Sequence, residues 1–240
     1  MEKMMNSENI SQFAYLNDKV LVGPIKGIVL RFLGLGSTSM FLNEITEGEY
    51  FGEQGILYVI PYNNPWSWMN QQAVQYTDEI IDVILDKFNL SPDIPLVSSG
   101  GSMGGQSALV YMAYAKKTPV SCVVNCPVCD VVYHFTERVD LPRTLYSAVA
   151  NEEGNIKDAL KRISPIHIIN KLPKVSYHVF HCDKDMDVNI DKHSRKFVEL
   201  MKANGFSITF DVVLNRGHCD LTYSMKKLYG KYILDSILNK

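Results

Sequence analysis

The chain lacks any apolar run of the roughly 18 to 20 residues needed to cross a bilayer; its longest apolar stretches are strand-sized. It also lacks a surplus of basic charge. Lys and Arg number 24 against 26 Asp and Glu, a net charge of -2, which argues against nucleic acid or an anionic membrane as partner. The opening residues, MEKMMNSE, lack the apolar core of a secretory signal. Cysteine is sparse and odd in number: there are five, three of them crowded at Cys122, Cys126 and Cys129. A chain of 240 residues can bury a core without disulfides. Reduced thiols, and with them a soluble cytoplasmic protein, are expected. No repeat, low-complexity tract or interdomain linker interrupts the sequence, so one domain over 1–240 is the simplest organisation.

What is present is ordinary globular material, 46% hydrophobic and 21% charged. Short apolar runs rich in β-branched and aromatic residues predict strands over 27–33, 56–60, 95–98, 120–124, 175–180 and 207–213, with an edge strand at 20–22. Helical periodicity predicts helices over 71–88, 103–115, 155–162, 191–203 and 221–238. Asn204-Gly205 supplies a stop for the fourth of these. Strand alternating with helix implies an α/β fold, a mostly parallel central sheet with helices on both faces. Residues 130–172 break the rhythm and are too long for a simple crossover. They read either as a surface excursion with one crossover helix or as a small cap lining a pocket.

The most informative stretch is Gly100-Gly101-Ser102-Met103-Gly104, which contains G-x-S-x-G directly after a predicted strand and directly before a predicted helix. The glycines remove Cβ atoms that would clash as the chain reverses from strand to helix. Ser102 is thereby exposed at the end of the sheet as a nucleophile, and the Met103 amide lies at a helix N-terminus where it can donate to an oxyanion. Such a turn could also be a phosphate cradle, but no G-K-[ST] follows.

A serine hydroxyl needs a base, and the base needs a carboxylate, in the chain order Ser, acid, His. The strand at 207–213 is followed by a loop carrying His218, which we read as the base. The other histidines fit less well: His134 and His167 fall in the excursion, His178 in a strand, His181 too early in its loop, and His193 near a helix start. The strand at 175–180 is followed by Asp183, Asp185 and Asp187, and spacing alone does not choose among them.

Together these residues resemble the prolyl-oligopeptidase-like branch of the α/β-hydrolase superfamily. There a late strand is followed by H-G-x-x-D-x-x-V-P, matched here at His181, Asp185 and Val188, with Cys182 and Asn189 departing from it. The upstream Ser164-Pro165-Ile166 is similar to the turn that often precedes that strand. The resemblance runs from about Ile28 to the C-terminus and implies Asp185 as the acid, Asp187 being the alternative. It also implies a second oxyanion donor after the first core strand, here the Leu35 amide, although Leu33 stands where the family often has His. The β-propeller of the large peptidases has no counterpart in this chain.

The expected activity is hydrolysis of a small carboxylic ester, or of a short peptide or amide, through an acyl-enzyme, with neither metal nor organic cofactor. Trp66 and Trp68 follow the strand at 56–60 and are expected to line a pocket for an apolar group. Two other readings compete. One is a non-catalytic binding protein on the same scaffold. The other is a thiol redox protein using Cys126-Pro127-Val128-Cys129, although this C-x-x-C follows a mid-sheet strand and has no second ligand pair for zinc. Substrate identity and oligomeric state have no signature in the sequence.

Overall fold

The computed structural model describes residues 5–152 and 154–239. Seven strands form one sheet: β1 (Ala14–Leu16), β2 (Gly27–Phe32), β3 (Ile56–Pro61), β4 (Leu96–Gly101), β5 (Ser121–Asn125), β6 (Ser176–Cys182) and β7 (Ser207–Val213). Their spatial order is β1-β3-β2-β4-β5-β6-β7. Every neighbouring pair is parallel except β1 with β3. The helices are α1 (Thr46–Gly52), α2 (Gln71–Lys87), α3 (Met103–Tyr114), α4 (Val131–His134), α5 (Leu141–Val149), α6 (Ile156–Arg162), α7 (Lys196–Ala203) and α8 (Tyr223–Leu238).

The pleat explains the layering. Ile28, Leu30 and Phe32 of β2 point to one face, with Leu57 and Val59 of β3, and meet α2, α3 and α7 through Ile80, Leu109 and Phe197. Val29 points to the other face, with Ile56, Tyr58 and Val97, and meets Phe51 of α1 and Ile233 and Ile237 of α8. Central strands are therefore apolar on both faces, and each fully buried Ile or Leu contributes about 1.5–3 kcal/mol. Helix starts follow local chemistry: Asn70 caps α2 through the Ala73 amide, and Thr222 caps α8 through the Met225 amide.

The expected edge strand at 20–22 is not formed. Val20 ends a 3-10 turn, Val22 is exposed, and the edge is Ala14–Leu16, paired with β3. Asn17 decides this. Its fully buried side chain donates to the Gly48 and Ile56 carbonyls and accepts from the Tyr58 amide, turning the chain out of the sheet before residue 20.

The excursion at 130–172 holds three short helices rather than one crossover helix. Leu141, Leu145, Ala159 and Leu160 from this segment pack with Trp68, Met103 and Val188, so it sits over the carboxyl ends of the parallel strands. Gln106 of α3 fastens it there, donating to the Trp68 and Ile163 carbonyls at 3.0 and 2.7 Å.

Candidate active site

The chain reverses from β4 into α3 at Ser102. Its backbone sits at φ 58° and ψ -129°, a region that side chains rarely enter. The reversal is possible because of the glycines: a Cβ on Gly100 would lie 2.0 Å from the Gly104 carbonyl oxygen, and one on Gly104 would lie 2.2 Å from that of Phe32. The Ser102 amide donates to the Asn125 carbonyl at 3.0 Å, while its own carbonyl accepts from Gly105 and Gln106 and starts α3. Met103 is the first residue of that helix.

The loop after β6 carries Asp185, whose side chain is fully buried. Asp185 Oδ1 accepts from the Asp187 and Val188 amides, each at 2.9 Å. Its Oδ2 lies 2.7 Å from His218 Nδ1 and 3.4 Å from His181 Nε2. Burial alone would push the Asp185 carboxyl upward. The His181 and His218 rings and the Val188 amide outweigh it and hold the group well below the usual carboxylate range. Burial likewise opposes charge on His218, but the contacts with Asp185 and then Cys126 prevail, and its pKa is pushed up to about 10. Asp187 also lines the cavity but makes no hydrogen bond to His218; its carboxylate is paired with Arg138 at 2.8 Å. The Asp183 amide donates to the Val213 carbonyl, and its carboxylate accepts from the Arg216 amide.

Ser102, His218, Leu35, Met103 and Trp68 line one cavity of about 390 Å³, to which the excursion adds His134 and Arg138. No hydrogen bond joins Ser102 to His218 here; His218 Nε2 lies 3.8 Å from Cys219 Sγ. Trp68 is fully buried and its indole donates to Thr144. Trp66, expected beside it, is 48% exposed and lies outside the cavity lining. Positive φ at Trp68 and Met69 turns those two side chains inward and leaves Trp66 on the surface.

Several residues that matter here carried no motif. Asn125 joins the Ser102 turn to the His218 loop, accepting from the Ser102 amide and donating through Nδ2 to the Cys219 carbonyl at 3.2 Å. Cys126 Sγ accepts from the Cys182 and Cys219 amides, each at 3.4 Å. Arg31 of β2 also reaches the cavity. All five cysteines are free thiols, and Cys126 and Cys129 are buried. Burial holds the Cys129 thiol well above its ordinary value, the opposite of what a redox-active thiolate needs.

Among the described residues four side-chain clusters have the spacing to share a cation. Three overlap at the cavity: Cys126, His218 and Cys219; Cys126, His181 and Asp185; and Asp185, Asp187 and His218. The other is His134, Glu137 and His193. In this last cluster His193 Nδ1 accepts from the Cys129 and Asp130 amides, so the proton sits on Nε2 and is donated to Glu137. That nitrogen offers no lone pair to a metal, and the cluster is a hydrogen-bonded anchor for the excursion.

No family model matches the sequence, and no curated protein does. Solved structures do. An S-formylglutathione hydrolase from Agrobacterium tumefaciens superposes with a TM-score of 0.69 at 15% identity, over 93% of this chain and 87% of that one. A thermophilic esterase from Thermogutta terrifontis gives 0.67 at 18%, over 94% and 87%. The acylaminoacyl peptidase of Pyrococcus horikoshii gives 0.71 at 10%, over 90% of this chain and 37% of that one. A puromycin-hydrolyzing peptidase from Mycobacterium tuberculosis is matched over 31% of its length, so the chain spans about a third of these large peptidases. The fold is that of the α/β-hydrolases.

Proposed function

We propose that the protein is a serine hydrolase that cleaves a small carboxylic ester, or a short peptide or amide, through an acyl-enzyme, and that 1–240 acts as one domain with 130–172 as its cap. The observation that carries this reading is the 2.7 Å contact between His218 Nδ1 and Asp185 Oδ2 in the cavity that also holds Ser102. The solved structures of this fold named above include an esterase, a hydrolase and peptidases. A cavity of about 390 Å³ suits a small substrate.

In the proposed mechanism the Ser102 hydroxyl rotates onto His218 Nε2 as substrate enters and attacks the carbonyl carbon. His218 takes the hydroxyl proton, and Asp185 holds the ring through Nδ1–H and stabilises the imidazolium. The amides of Met103 and Leu35 receive the developing oxyanion. His218 then protonates the leaving group, and water, deprotonated by the same ring, releases the acyl group from Ser102. Trp68 forms part of the apolar wall.

Labelling with a fluorophosphonate probe tests the reading. Wild-type protein is expected to label, and Ser102→Ala and His218→Ala are expected not to. A folded wild type that stays unlabelled and hydrolyses no ester would favour a binding protein on this scaffold.

A further inference from the structure

We propose that Arg31 forms an anion subsite in the wall of the cavity, so that the preferred substrate carries a carboxylate besides the bond that is cleaved. The subsite rests on the same cavity as the hydrolase reading and names the substrate class for it.

Arg31 stands in an otherwise apolar strand, between the fully buried Leu30 and Phe32. The pleat sends it with Val29 to the face covered by α1 and α8. Burial opposes its charge there, but Tyr229, Tyr58 and Cys219, and more weakly Glu47 of α1, outweigh it and hold its pKa above the ordinary value. Arg31 Nη1 is buried and has no hydrogen-bond partner. Among the described residues no carboxylate lies within ion-pair distance of it, Glu47 included. The other charged groups around the cavity are matched: Arg138 pairs with Asp187, and His218 with Asp185. One cation is therefore left over, and it is the one built into the sheet.

A buried guanidinium with an unmet N–H costs stability, since its hydration is lost and not replaced. An incoming anion would replace it. The room exists beside the nucleophile, because Gly101 directly precedes Ser102. A Cβ there would lie 3.9 Å from Arg31 Nη1 and 3.3 Å from Cys219 Sγ, so position 101 puts no side chain between the buried guanidinium and the cavity that both residues line. The planar fork of Arg matches a carboxylate in two hydrogen bonds. A single unmatched positive charge fits a monoanionic carboxylate better than a phosphate dianion.

Two measurements test the subsite. The first needs no turnover: the Ser102→Ala chain is titrated calorimetrically with glutarate. Binding is expected, weakened at least about tenfold in Ser102→Ala/Arg31→Gln. Equal binding in both, or tighter binding of inorganic phosphate than of glutarate, would overturn the proposal. The second compares kcat/KM for mono-p-nitrophenyl glutarate with that for p-nitrophenyl pentanoate. Wild type is expected to favour the charged ester at least about tenfold, Arg31→Gln to show a ratio near one, and Arg31→Lys to keep part of the preference. A ratio that does not change between wild type and Arg31→Gln would also overturn it. Circular dichroism confirms that the variants fold. If glutarate binding depends on Arg31 while neither ester is cleaved, the subsite stands and the hydrolase reading falls. If Ser102 cleaves both esters with no dependence on Arg31, the reverse holds.

Discussion

His181 reaches across its own loop and donates from Nε2 to the carbonyl of Val188 at 3.0 Å, closing the segment that carries Asp185. Because a carbonyl can only accept, Nε2 holds the proton, and Nδ1 accepts from the Ser194 hydroxyl at 2.7 Å. The ring is fully buried and lies behind Asp185, where the proposed mechanism makes it a positioning residue for the acid. His181→Ala strands two polar groups and opens a cavity, and is expected to cost about 2–4 kcal/mol in urea unfolding. In the surviving folded enzyme kcat should fall while KM changes little, and the pH limb of kcat should move down, because Asp185 is no longer held against His218. His181→Gln should recover part of each effect.

The turn at Ser102 stores strain. Ser102→Gly is expected to stabilise the protein by about 1 kcal/mol relative to Ser102→Ala, since only Gly occupies this backbone region freely. Gly104→Ala should do the opposite: with its Cβ 2.2 Å from the Phe32 carbonyl oxygen, β2 and α3 would have to part. A loss of more than about 3 kcal/mol in thermal or urea unfolding is expected.

The proposed mechanism sets a pH dependence with a definite sign. In it His218 must be neutral to accept the Ser102 proton, so activity is expected to fall as pH drops below its pKa. With that pKa raised to about 10, kcat/KM should climb through an alkaline limb well above the ordinary imidazole value of about 6.5. Asp185→Asn should move the limb down and lower kcat about ten-thousandfold. Stability follows the same linkage. The contribution of charged His218 is complete below the unfolded value and is lost as pH rises toward 10, so thermal scans of wild type should decline over that window more than those of Asp185→Asn.

Arg31 yields a stability forecast with a sign opposite to that of most core substitutions. Arg31→Met keeps length and removes an unmet buried charge, and is expected to raise unfolding stability by about 1–3 kcal/mol. A destabilisation of similar size would mean that the guanidinium is held by its tyrosine neighbours and is not waiting for a ligand.

Strands β2 to β7 were legible because burial on both faces writes a continuous apolar run, and the turn at Ser102 because close backbone approach demands glycine at fixed offsets. Other features depend on contacts that no local pattern encodes. The edge strand moved from 20–22 to Ala14–Leu16 because one buried amide, Asn17, pins distant backbone. α1 has no periodic signature because Thr46–Gly52 is short and contains two glycines. Three aspartates alternate after β6, and the sequence alone left them equal. What distinguishes Asp185 geometrically is the pair of amides and the two rings converging on it. Trp66 and Trp68 are equivalent on paper and are separated only by a positive φ. Arg31 sits inside a run that reads as apolar, and the lack of a partner cannot be seen in one dimension.

The thiol of Cys219 is half-buried, lines the cavity and stands 3.8 Å from His218 Nε2, while the neighbouring thiol of Cys126 gathers the amides that tie the acid-bearing strand to the base loop. An alkylating reagent entering the cavity therefore meets sulfur beside His218, and in the proposed mechanism a bulky adduct there would block turnover with Ser102 untouched. Inactivation by maleimide or iodoacetamide would thus be uninformative about the identity of the nucleophile. On the proposed mechanism, inhibitor profiling that sorts hydrolases into serine and cysteine types by reagent sensitivity would misfile this protein.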